Sequence, residues 1–365
     1  MSEETSAAVS PVVAEAVRDE VEGFFQLDDI TLDWPRPGYI RFRGVFLRDL
    51  ESCYDALSER LRRYGFTPMV RREGDAIALI AAPMLYEHSP SDWRINLVLF
   101  LATILTTLWV GAANEPGFTG YEIWMGWPFS LSMLLILGAH ELGHYFAARH
   151  HKAPVTLPYF IPFPTLLGTL GAVIRLKGPL KNRRALLDMG AAGPLAGLVF
   201  AVPILFIGLA TSPLVPIAGP GLQEGNSILY AVAKYIVFGR WLPGGGVDVL
   251  VNQVAWAGWA GLLVTGLNLI PVGQLDGGHV AYVLFGRRAG RLFWPVIIGL
   301  AALALLSQTL TWVLWIGLLF LFGRVYAEPL DDVTPLDPRR RIVAIFTLLL
   351  FFLVFVPVPI TVRMP

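Results

Sequence analysis

The stretch FSLSMLLILGAHELGHYFAARH, residues 129–150, sets two histidines and a glutamate inside a run that is otherwise apolar. Its length is close to the ~20 residues a helix needs to cross a bilayer. On a helix, positions four apart share a face, so His140 and His144 turn both imidazoles toward one point, with Glu141 beside them. The chain has only six histidines, and ionisable groups inside a membrane segment are costly unless they serve a site. H-E-x-x-H matches a zinc site that leaves one coordination position open and uses the glutamate as general base toward water. A chance match, or histidines that only satisfy hydrogen bonds in a core, is the plainer alternative.

The remaining chain is consistent with a membrane segment of this kind. Of 365 residues, 55% are hydrophobic and 15% charged, with positive mean hydropathy, whereas soluble domains have about a quarter of their residues charged. The formal net charge is zero, and no nucleic-acid partner is expected. Half of the charged residues fall before position 95, which separates a polar N-terminal part, 1–92, from an apolar remainder, 93–365. The N-terminus has neither the basic and apolar regions of a secretory signal nor a transit-peptide composition, so no cleaved leader is expected. The single cysteine, Cys53, reads as a structural thiol.

Residues 1–92 read as a small α+β domain. Residues 39–46 alternate Ile40 and Phe42 with Arg41 and Arg43, the period of a half-buried strand. A helix then begins at Asp49, with Leu50, Tyr54, Leu57, Leu61 and Tyr64 on one face and Gly65 closing it. A hairpin over 67–81 turns at Glu73 and Gly74. Its arginines read as a solvated face, and no motif surrounds His88.

Beyond Arg94, apolar runs at 95–113, 129–148, 189–211, 249–270, 292–306, 310–322 and 342–361 predict a polytopic α-helical membrane protein with seven spans. A weaker run at 228–238, which contains Lys234, would make an eighth. Basic residues cluster at 149–184, 287–291 and 339–341, whereas 114–128 has no Lys or Arg. Seven crossings put every cluster and the N-terminal domain in the cytosol; eight would strand the cluster at Arg287 outside.

A third ligand should come from another apolar helix at the same depth. The stretch NLIPVGQLDGGH, residues 268–279, offers Asp276. Pro271 must interrupt the helix and Gly273 loosens the next turn, so Asp276 should open a renewed helix whose dipole favours its ionised form. A turn with a helix cap is the plainer reading of Asp-Gly-Gly. A divalent ion, two neutral imidazoles and two carboxylates sum to about zero charge, which makes the set tolerable in lipid only as a whole. Asn268 could donate to a developing oxyanion, or could satisfy carbonyls freed by Pro271.

HELGH in one apolar segment followed by Asn268-x-x-Pro271-x-x-x-x-Asp276-Gly277 in a later one resembles the site-2 protease family of intramembrane zinc metalloproteases. The intervening GTLGAVIRLKGPLKNRRALLDMGAAGPLAG, residues 168–197, is similar to the EGY-type branch and its bacterial relatives. The resemblance covers about 130–290, a catalytic core of about 129–290. It implies Zn2+ held by His140, His144 and Asp276, with Glu141 as general base and Asn268 holding substrate or oxyanion. It also implies that the broken apolar segment 157–176 forms a re-entrant β-hairpin. There Gly168, Thr169, Leu170, Gly171, Ala172, Val173 and Ile174 would supply a strand edge to an unwound substrate; a surface loop at the lipid headgroups is the alternative.

The expected activity is hydrolysis of peptide bonds inside transmembrane segments of membrane-anchored proteins. With His140 nine residues before Arg149, the site would lie ~13 Å below the cytosolic boundary. The expected location is an integral position in a prokaryotic cell membrane. A metal-binding transporter or sensor is the rival reading, weakened because no second copy of either motif marks an internal repeat; an inactive scaffold is the third. Gly190, Gly193 and Gly197 read as a close-packing face, His150 and His151 as an interfacial cluster, and His279 as a residue near the site without a ligand role.

Overall fold

The structure, a computed structural model, describes residues 8–86, 91–217 and 221–363; His88 lies outside them. It divides into two compact units.

The first unit combines the described residues before 90 with 177–185 and 328–337. Its sheet has the order β1-β2-β4-β3, all antiparallel: β1 is Phe25–Leu32, β2 Ile40–Phe46, β3 Thr67–Glu73 and β4 Ala76–Ala82. Two helices, α1 (Pro11–Glu22) and α2 (Leu50–Arg62), complete it. Val17 and Val21 of α1 join Phe25, Ile40, Phe42, Tyr54, Leu57 and Leu61 in one core. Arg41 and Arg43 pair with Glu73 on the other face. Tyr64, expected on the buried face of α2, is instead 38% exposed, because it falls past the last helical turn. Cys53 is buried and free, and burial pushes its thiol up, as suits an inert core residue.

Neither α1 nor β1 follows from a period in the sequence. A bulge between Leu27 and Asp29 breaks the two-residue period of β1, and two aspartates interrupt its apolar content. The open edge of β3 is covered by the chain at 330–332. Val70 donates its N–H to the Leu330 carbonyl at 2.8 Å, and the buried Arg71 guanidinium donates to the same oxygen at 2.8 Å. Leu330 and Asp331 in turn donate to the Leu180 and Lys181 carbonyls. Two remote segments thus close an edge that would otherwise invite another chain.

The second unit is mainly helical. Four helical stretches are long and apolar enough to cross a membrane by length and composition: 93–113, 123–150, 183–210 and 276–307. They contain α3 (Trp93–Ala113), α4 (Trp127–His150) and α5 (Arg183–Ala210), while 276–307 joins α8 (Asp276–Phe285) through a 3-10 turn to α9 (Phe293–Ser307). Other helices are shorter: α6 (Ile228–Phe238), α7 (Gln253–Asn268), α10 (Leu310–Phe322) and α11 (Pro338–Val354). Gln308, at φ 52°, turns the chain between α9 and α10.

The helices α4, α5 and α7 share a core built on Phe129, Met133, Ile136, Leu205 and Trp259. Close approach is set by small residues: a Cβ on Gly143 of α4 would lie 2.5 Å from the Ala192 carbonyl of α5. Between α4 and α5 lies the hairpin of β5 (Tyr159–Pro162) and β6 (Thr169–Val173). Asn96 of α3 donates to the Leu157 and Pro158 carbonyls at its base. Gly168, near its tip, meets Thr107 of α3 so closely that a Cβ would lie 2.7 Å from the Thr107 Cα. Asn96 and Thr107 are ~16 Å apart at helical rise, so the hairpin runs along half or more of this apolar helix.

Candidate metal centre

The candidate ligand positions of α4 share a face because they are four apart. His140 and His144 are both buried, with ring centroids 4.8 Å apart. Asp276 reaches them from the first residue of α8. Pro271 ends α7, and Gly273 takes φ 61° against Gly323, with Cβ space of only 2.4 Å. The chain then folds the Leu269 and Val272 carbonyls over Gly277 and Gly278, where a side chain could not fit. The helix cap is Leu275, so the Asp276 carboxylate is not used for capping.

One Asp276 oxygen lies 3.2 Å from His140 Nε2 and the other 3.4 Å from His144 Nε2. One ligand atom from each of the three residues lies within 4.8 Å of the others. Ligand distances of about 2.0–2.2 Å in a tetrahedron require donor atoms ~3.3 Å apart, and each imidazole is near that distance from one of the two carboxylate oxygens. The His144 Nδ1–H donates to the Met189 carbonyl at 2.8 Å, assigning the tautomer that leaves the Nε2 lone pair free toward Asp276. The donor set therefore fits a divalent ion. Glu141 is buried beside the pair, with the Ile174 backbone amide, just past β6, among the groups near its carboxyl.

Three glycines of α5 face three histidines. A Cβ on Gly190 would lie 2.9 Å from the His279 Cβ, on Gly193 2.0 Å from His144 Nε2, and on Gly197 3.2 Å from His140 Cβ and Nδ1. The close-packing face is thus the wall of the histidine cluster. His279 is buried, and its Nδ1 has no partner among the described residues; it is outside the three-ligand group. Asn268 ends α7, half-buried, next to the Leu269 whose carbonyl packs on Gly277.

Asp188 was not singled out from the sequence. It accepts from His151 at 2.8 Å and from Arg340 of α11 at 2.6 and 2.9 Å. This fixes the residue just before Met189, whose carbonyl orients His144. His150, its neighbour in the sequence cluster, is exposed. Asp188→Asn is expected to lower metal affinity by about tenfold, read by competition with a chromogenic chelator. Unchanged affinity with reduced thermal stability would make the network a brace and nothing more.

A two-helix His-His-Asp set with an adjacent glutamate, carried on apolar helices, is the arrangement expected of a membrane metallopeptidase, and the model of peptidase family M50 matches residues 128–306. Among curated proteins it is 28% identical over 378 residues to a probable zinc metalloprotease EGY2, chloroplastic, of Oryza sativa subsp. indica, covering 97% of this chain and 68% of the relative. It is 34% identical over 241 residues to the Arabidopsis thaliana EGY2 protein, covering 64% of this chain and 42% of that one. For the Arabidopsis EGY1 protein the figures are 30% over 300 residues, 73% and 53%. No solved structure matches.

Proposed function

We propose that the chain is an intramembrane zinc metalloprotease of the H-E-x-x-H type that hydrolyses peptide bonds within transmembrane segments of other membrane-anchored proteins. The observation that carries this is the convergence of His140, His144 and Asp276 within 4.8 Å from two apolar helices, with Glu141 buried alongside. His140 Nε2, His144 Nε2 and Asp276 hold zinc, as the names of the curated relatives also favour. Bound zinc supplies Lewis acidity toward a carbonyl oxygen and eases deprotonation of water.

The residues of the chain do the rest. Glu141 takes a proton from the attacking water as its oxygen bonds to the scissile carbonyl carbon. The C–N bond then breaks, and Glu141 returns that proton to the leaving amine. Asn268 donates its amide N–H to the oxygen that becomes negative. A helical peptide bond is shielded by its own hydrogen bonds, so the substrate must unwind. Gly168, Thr169, Leu170, Gly171, Ala172, Val173 and Ile174 supply the edge that replaces those bonds, since β6 pairs only with β5 among the described residues. The Ile174 amide, near the Glu141 carboxyl, brings that edge to the general base.

Seven crossings remain our topology, with the short helices α7, α10 and α11 crossing where the bilayer thins around them. The basic clusters and the N-terminal unit are then cytosolic. The membrane is that of a prokaryotic cell, in keeping with the resemblance to bacterial members, beside curated relatives whose names are chloroplastic. Purified protein in liposomes with candidate single-span substrates tests the reading. Mass spectrometry should find cleavage inside the span that stops with a zinc chelator and returns with added zinc; chelator-resistant cleavage, or none, would overturn it.

A further inference from the structure

A second site lies at the other end of α4. A cavity of about 210 Å³ is lined by Asn114, Glu115, Phe129, Leu166, Gln253 and Trp256, among others. This is smaller than the ~300–1,000 Å³ of small-molecule pockets and suits a single side chain. Leu166 belongs to the turn of the β5-β6 hairpin, so the substrate edge leads toward the cavity. Phe129 precedes His140 by ~16 Å of helix, and Ile174 to Gly168 spans ~20 Å of extended chain. A peptide laid along β6 with its scissile bond at Glu141 therefore brings its fifth or sixth residue from that bond to the cavity mouth.

The lining selects for charge. Gln253 is fully committed: its Nε2 donates to Glu115 Oε1 at 2.6 Å and to the Met125 carbonyl at 2.9 Å, and its Oε1 accepts from the Phe129 N–H at 3.1 Å. That clamp holds the half-buried Glu115 in place, while its Oε2 has no partner among the described residues. Phe129, Leu166 and Trp256 form apolar walls that suit an aliphatic stem, and an aromatic face beside a carboxylate favours a cation. No Lys or Arg occurs within 114–128 to neutralise Glu115. The buried Trp256 indole N–H also finds no acceptor among the described residues, and a peptide brings carbonyls.

We propose that this cavity is a distal substrate subsite that takes a Lys or Arg side chain five or six residues from the scissile bond, with Glu115 as its specificity-determining carboxylate. The proposal rests on the protease reading above. The test uses full-length enzyme in liposomes and a single-span reporter carrying Lys, Ala or Asp at that position. Wild type should favour Lys over Asp by about tenfold in kcat/KM, as expected for a partly desolvated charge pair. Glu115→Gln should bring the Lys-to-Ala ratio to about one, and Glu115→Lys should favour Asp. Equal ratios in all three enzymes, with cleavage intact, would overturn the subsite and leave the protease standing. Cleavage that depends on phosphatidylethanolamine in the liposome but not on the reporter's charge would assign the cavity to a lipid amine and overturn the subsite too. Absence of cleavage by wild type would overturn both readings.

Discussion

Glu141→Gln is expected to keep zinc at wild-type stoichiometry and to lose about 100- to 10,000-fold in cleavage of a transmembrane reporter, the range that a positioned general base contributes. The glutamine is nearly isosteric, but it cannot take a proton from water. Asp276→Ala separates the roles. It removes the carboxylate that lies 3.2 and 3.4 Å from the two imidazoles and should lose metal and cleavage together. Its affinity loss should exceed the about 10- to 100-fold typical of a supporting contact. Metal analysis of the purified variants beside reporter cleavage distinguishes the two patterns. Full activity in the glutamine variant would remove Glu141 from the chemistry.

The placement of the candidate ligands within their own helices was legible because it is local. The four-residue spacing of His140 and His144 fixes a shared face, and Pro271 forces the break after which Asp276 opens a helix, as found. The small unit was half legible: β2, α2 and the hairpin follow from local periods, whereas the bulge in β1 removes the period that would have announced it. What no local pattern encodes is contact between remote segments. Nothing near Leu330 or Leu180 says that they close the edge of β3, and nothing near Asp188 says that Arg340 will meet it. The glycines of α5 are intermediate. Their spacing announced a close-packed face, but the sequence could not say that the face meets imidazoles, because that depends on how α4 and α8 are turned.

That last contact yields a graded expectation. Gly193→Ala puts a methyl carbon 2.0 Å from His144 Nε2, the atom proposed to donate to metal. The ring cannot retreat easily, because its Nδ1–H is held by the Met189 carbonyl on the same helix that carries the methyl. The variant should therefore bind zinc at least about 100-fold more weakly, as for a misplaced ligand, and cleave correspondingly less. Gly197→Ala meets His140 at 3.2 Å and should cost much less, since a few tenths of an ångström relieve it. Gly138→Ala, in α4 itself, meets nothing within 4 Å and should be neutral or stabilising. Helix propensity alone favours alanine over glycine by about 1 kcal/mol at each position, so it cannot produce losses at 193 and 197. Zinc titration of the three variants reads the order directly. Equal affinity across them would mean that α5 does not stand against His144 as described, and the histidine cluster would need another wall.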